Sequence, residues 1–91
     1  MPNMESLVNN NFKVLAYLYD IRDKENLAKT TQLEIGKDLG LNRGTINYVF
    51  KSLKENGYII HDNTRIGRYY LTDDAVRTVE LFRKTNKKGV R

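Results

Sequence analysis

Ninety-one residues make one domain around a single core, too few for a second domain or for the large cleft of a barrel or doubly wound enzyme. With no cysteine and a lone His61, the chain excludes a disulfide framework, a Cys-ligated metal and a His-rich metal site. Sixteen Lys and Arg against eleven Asp and Glu give a net charge of +5, and the excess is uneven, −1 over residues 1–40 and +6 over 41–91. A basic half of this kind suits a polyanion. No apolar run approaches the roughly 18 residues that cross a bilayer. Met1-Pro2-Asn3-Met4-Glu5 has neither the basic nor the apolar region of a secretion signal. A cytoplasmic location with no membrane contact is expected, and no cofactor is called for.

Residues 1–9 read as a flexible N-terminus, 10–84 as the folded domain and 85–91 as a frayed basic tail. Phe12, Leu15, Leu18 and Tyr19 recur at helical spacing and predict a first helix over 10–22, with Val14 and Ala16 widening its stripe. A polar loop, Asp23 to Asn26, leads to Leu27–Thr30, which can be extended. Thr31-Gln32-Leu33-Glu34 fits a capping box: the Thr hydroxyl accepts from the Glu34 amide and the Glu carboxylate reaches back. The second helix then runs to Leu39 and stops at Gly40. Asn42 is an N-cap for a third helix that runs through Ile46, Val49, Phe50 and Leu53 to Asn56, with Gly57 ending it. Tyr58–Asp62 and Arg68–Thr72 are aromatic and β-branched runs around a polar, Gly-containing turn, the pattern of a β-hairpin. Thr72 caps a fourth helix whose first acids, Asp73 and Asp74, suit the positive end of its dipole.

This order is an α+β domain: a three-helix core, a two-stranded hairpin and a C-terminal helix. The expected core is Phe12, Leu15, Leu18, Leu33, Ile35, Leu39, Leu41, Ile46, Val49, Leu53, one of Ile59 and Ile60, and Leu71.

The most specific segment is Gln32–Lys51. Two helices joined by so short a turn cross steeply, as in helix-turn-helix units. Ile35 and Leu39 supply one buried face, Ile46 and Val49 the other. Gly36 is small where the helices meet, Gly40 occupies the turn and Leu41 plugs the gap behind it. Three stretches, Leu39-Gly40-Leu41-Asn42-Arg43-Gly44-Thr45-Ile46-Asn47, Leu53-Lys54-Glu55-Asn56-Gly57-Tyr58-Ile59 and Arg68-Tyr69-Tyr70-Leu71-Thr72, together resemble winged helix-turn-helix transcription regulators. The multiple-antibiotic-resistance-type repressors and their small relatives are the nearest group. The resemblance covers about residues 12–84. It implies a transcriptional regulator, with the third helix in the major groove and the hairpin, or wing (62–68), on the adjacent minor groove or backbone.

The residues sort the same way by chemistry. With Ile46, Val49, Phe50 and Leu53 facing inward, Arg43, Gly44, Asn47, Tyr48 and Lys51 are left on the outer face, and Asn42 and Thr45 at its leading end. Arg43, Asn47 and Lys51 form one stripe at four-residue spacing. Arg pairs bidentately with guanine and Asn with adenine, while Lys51 suits a phosphate. Gly44 leaves the first-turn amides open. Against this, a solvated helix face is commonly polar, though a glycine in the first turn has no such explanation. Arg65 and Arg68 around Ile66-Gly67 suit a narrow minor groove, in preference to an ordinary charged turn that discourages edge pairing. Thr31 can donate to a phosphate beyond its capping role. The tyrosines and His61 fit core rims and strand surface. No nucleophile–base pair or paired-carboxylate site appears, so no enzyme is expected.

Double-stranded DNA is the expected partner. A homodimer through the first and fourth helices, using Val14, Tyr17, Ile21, Val76, Leu81 and Phe82, would double the reading surface. Full-length members of the resembling repressors carry further helices for dimerisation and an effector pocket, for which 91 residues leave no room. Two other uses of the same fold fit the residues: a protein-interaction adaptor, and a plasmid or phage replication or partition module.

Overall fold

The computed structural model describes residues 3–90, with side chains described over 10–84. Seven elements follow in order: α1 (Asn3–Ile21), β1 (Leu27–Lys29), α2 (Gln32–Leu39), α3 (Arg43–Glu55), β2 (Ile59–His61), β3 (Arg68–Leu71) and α4 (Asp73–Val90). The helical backbone begins at Asn3 instead of 10 and continues to Val90. How firmly residues 1–9 and 85–91 are held lies outside the described residues.

Core formation follows the apolar stripes. Leu18 and Val14 of α1, Ile35 of α2, Ile46, Val49 and Phe50 of α3, Ile59 of β2 and Val79 of α4 are all fully enclosed. Each such burial stabilises the fold by about 1.5–3 kcal/mol. Phe12, Leu39 and Leu41 pack at the margin of this cluster. Leu33 does not join it and is 75% exposed. In α2 the inward side is defined by Ile35, Gly36 and Leu39, and a residue two positions before Ile35 lies about 200° around the helix. Of the two candidate isoleucines, Ile59 is inside and Ile60 is 58% exposed, as strand alternation requires.

The hairpin β2–β3 forms as expected, with Ile59 opposite Leu71 and His61 opposite Tyr69. It is not confined to two strands. β1 pairs antiparallel with β3, Leu27 opposite Tyr70 and Lys29 opposite Arg68, giving the order β1-β3-β2. The turn before β1 makes this pairing possible. Asp23 Oδ1 accepts from the amides of Glu25 and Leu27, and Asn26 adopts φ 63°, a left-handed conformation that Asn tolerates. These amide bonds hold the Asp23 carboxyl below its ordinary pKa. On the inner face, Tyr69 is buried between Phe50 and His61, with ring centroids 4.8 and 4.9 Å away. His61 is therefore half-buried and stacked, where the sequence suggested a free strand surface.

The α1 and α4 helices brace one another. Phe12 and Phe82 lie with ring centroids 4.1 Å apart. The Tyr19 hydroxyl donates to Glu80 at 2.7 Å, and Arg83 donates to both carboxylate oxygens of Asp20 at 2.8 and 3.0 Å. The guanidinium holds the Asp20 carboxyl below the usual range. Val14, read from sequence as a surplus residue free for a dimer, is wholly inside the monomer.

At the crossing of α2 and α3 the backbones come close. A Cβ on Gly36 would sit 2.8 Å from the Leu41 carbonyl oxygen and 3.3 Å from Ile46 Cγ1. The Gly36 carbonyl in turn accepts from the Leu41 amide at 2.8 Å. In an open helix, Gly→Ala stabilises by roughly 0.5–1 kcal/mol. Here the obstacle is backbone, so Gly36→Ala is expected to cost about 1–3 kcal/mol, the range for overpacking, measured by urea denaturation.

Candidate nucleic-acid interface

The candidate surface begins with the turn. Gly40 ends α2 at φ 71°, and two residues later Asn42 opens α3, its Oδ1 accepting from the Thr45 amide at 2.8 Å. Asn42 is therefore engaged as an N-cap, and Thr45 is half-buried beside it. The end of α3 is closed by Gly57 at φ 77°, with the Tyr58 amide bonded to the Leu53 carbonyl and the Gly57 amide to the Lys54 carbonyl, a Schellman arrangement. Between these caps Ile46, Val49, Phe50 and Leu53 are buried. Arg43, Gly44, Asn47, Tyr48 and Lys51 are exposed along the opposite face, as the spacing predicts.

The start of α2 lies against this face. Thr31 caps α2 by accepting from the Glu34 amide at 3.1 Å. The reciprocal half of the expected box is replaced: the Glu34 carboxylate accepts instead from the Thr30 hydroxyl at 3.0 Å. Gln32, the next residue, lines concave surfaces on both flanks of α3. One is shared with Leu33, Lys37, Arg43 and Asn47, the other with Gly44, Asn47, Tyr48 and Lys51. Sequence reasoning missed Gln32 and Lys37, and took Leu33 for core. No signal along the chain reports that the first turn of α2 borders the exposed face of α3.

The wing joins the same surface through its root. The Thr30 amide donates to the Gly67 carbonyl at 3.0 Å. Gly67 has φ 75°, and a Cβ there would meet the Thr30 carbonyl at 3.0 Å and Thr31 Cγ2 at 3.6 Å. The other side of the loop is held by Asp62. Its Oδ1 accepts from the Thr64 amide at 3.0 Å and the Thr64 hydroxyl at 2.6 Å, and its carbonyl accepts from the Arg65 amide at 3.2 Å. The two Thr64 bonds, with the Arg65 charge adding, keep the Asp62 carboxyl below its ordinary pKa. Arg65 is exposed on the loop, whereas Arg68 is the first residue of β3, half-buried and opposite Lys29. The ten sequence-predicted residues thus divide. Arg43, Gly44, Asn47, Tyr48 and Lys51 share one face, Asn42 and Thr45 frame its leading end, Thr31 caps α2, and Arg65 and Arg68 lie on the wing.

The surface is basic and unneutralised. Among the described residues the ion pairs are Arg77–Asp74, within α4, and Arg83–Asp20, between α4 and α1. Neither involves Arg43, Lys51, Lys54, Arg65 or Arg68. Also among the described residues, no group of three or more His, Asp or Glu side chains could hold a metal ion, and no helix is long and apolar enough to cross a membrane.

A closely packed helix pair with a tight turn, an exposed polar and basic face on the second helix, and a hairpin tethered to the chain entering the first helix define a winged helix-turn-helix domain. Residues 9–60, more than half of the chain, match the family model described as winged helix-turn-helix DNA-binding. The chain belongs to that family. It matches no curated protein and no solved structure.

Gly44 separates fold from function. A Cβ there would meet only Asn42 Oδ1, at an ordinary 3.6 Å. Gly44→Ala is expected to raise stability by up to about 1 kcal/mol while weakening duplex binding, a combination read from paired denaturation and DNA titrations.

Proposed function

We propose that this protein is a sequence-specific, double-stranded DNA-binding transcriptional regulator. In this reading α3 enters the major groove, with Arg43 and Asn47 on base edges, Tyr48 beside them and Lys51 on a phosphate. Gly44 lets the backbone come close. Asn42 and Thr45 secure the leading end of α3, and the Thr31 hydroxyl keeps a proton to donate to a phosphate. The wing, residues 62–68, lies on the minor groove or backbone through Arg65 and Arg68. Gln32 and Lys37 extend the contact from α2, and the exposed Leu33 suits a thymine methyl group.

The observation that carries this reading is the continuity of the surface. The wing root is hydrogen-bonded to Thr30, Thr31 and Gln32 follow directly, and Gln32 and Asn47 border the same concave flanks. Unpaired cations lie at both ends of that path, a layout suited to a phosphate backbone. The closer kinship with multiple-antibiotic-resistance-type repressors belongs to the proposal and is supported by the Leu39–Asn47 stretch and by Tyr70-Leu71-Thr72. So does a homodimer, through the apolar surface that α1 and α4 leave open at Ile21, Leu81 and Phe82. Two copies would read half-sites about 34–36 Å apart. The DNA partner in turn supports a cytoplasmic location.

The test is fluorescence anisotropy of a labelled duplex pool, followed by duplexes selected from it, at about 50 and 200 mM salt. Binding is expected to weaken steeply between the two. Arg43→Ala should cost about 1–3 kcal/mol and relax preference at one base pair; Lys51→Ala should weaken all sequences alike and lower the salt slope by about 1. Absence of binding at the lower salt contradicts the proposal. Weak binding with no sequence preference, unchanged by Arg43→Ala, points instead to a protein-interaction adaptor.

A further inference from the structure

The most exposed large apolar side chain among the described residues is not on a helix face. It is Ile66, 88% exposed on the wing loop. Scattered surface isoleucines need no explanation, but three features set this one apart. It follows Arg65 directly, and Arg68 lies just beyond Gly67. The loop presenting it is tied on both sides, by the Asp62–Thr64 bonds at one end and by the Thr30–Gly67 bond at the other. The residue after it must be glycine, since at φ 75° a Cβ would sit 3.0 Å from the Thr30 carbonyl oxygen. Isoleucine itself is β-branched and stiff at χ1.

A rigid apolar tip between cations matches the chemistry of side chains that enter the minor groove and wedge apart a pair of stacked bases. The cations hold the flanking phosphates, and the wedge replaces the lost base stacking on one side. We infer that Ile66 is a wedge that partly unstacks a base step in the minor groove, so that this protein kinks the DNA it binds. The inference rests on the DNA-binding reading above and adds to it a second activity, bending, together with a preference that needs no hydrogen bond to a base. The flexible pyrimidine–purine steps TA and CA deform most cheaply and are the expected target.

The experiment uses the whole chain and duplexes that it selects from a random pool. 2-Aminopurine replaces adenine at each TA or CA step in turn, and the end-to-end distance of doubly labelled duplex is read by energy transfer. The wild-type protein should raise 2-aminopurine fluorescence at one step and bend the duplex by about 20–90°. Ile66→Ser should abolish both signals while holding affinity within about tenfold, a change of about 1.4 kcal/mol, and Ile66→Leu should restore them. The variant site is exposed, so folding is not at stake, and circular dichroism verifies it. Binding by wild type with no unstacking at any step overturns the wedge and leaves the DNA-binding reading standing. Unstacking that persists in Ile66→Ser overturns the assignment to Ile66. No binding by wild type at low salt overturns the DNA-binding reading itself, and the wedge with it.

Discussion

The close approach of α2 and α3 at Gly36 is the contact on which everything else depends. The space a methyl group would need is taken by the Leu41 carbonyl and by Ile46. That approach sets the crossing of the two helices, and the crossing decides which side of α3 is left to solvent. Because the obstructing atom is backbone, neighbouring side chains cannot relieve it by changing rotamer. The apolar residues of α3 are then committed to the core, and Arg43, Asn47 and Lys51 are committed outward by the same geometry.

The remaining elements hold that face still and extend it. Phe50 links α3 to Tyr69 on β3, and β3 is locked between β1 and β2. The sheet therefore does more than form a hairpin: through β1 it ties the wing to the chain that leads directly into α2. On the far side, α1 and α4 are joined by the Phe12–Phe82 stack and the Asp20–Arg83 pair. That pair is half-exposed and screened, worth at most about 1 kcal/mol. The aromatic contact and the buried stripes carry the brace. A surface held this rigidly meets a duplex with little ordering left to do, which favours affinity.

Much of this arrangement is legible in the sequence because it rests on local chemistry. Caps at Thr31, Asn42 and Thr72, glycines at 40 and 57, and the inward stripe of α3 all concern residues within one or two turns of each other. What escapes is mostly long-range. Leu33 follows the apolar rule yet faces out, because Ile35 and Gly36, not hydropathy alone, decide how α2 is rotated. Glu34 has the right spacing for a capping box, but the Thr30 hydroxyl, a local competitor four residues before it, claims its carboxylate. β1 is only three residues long, and its place in the sheet depends on the Asp23–Asn26 turn and on β3, far along the chain. Gln32 carries no motif, and only the folded crossing puts it beside Asn47. Val14 reads as surplus because its burial within the monomer is invisible along the chain.

The outer face of α3, the start of α2 and the wing act together only if they meet DNA as one continuous surface. A backbone amide NMR map of the labelled protein, recorded while a selected duplex is titrated in, addresses that continuity most directly. Shifts are expected to concentrate at Gln32, residues 43–51 and residues 64–67, with the outer side of α4 around Arg77 unmoved. Shifts centred on α4, with α3 and the wing unmoved, would contradict it.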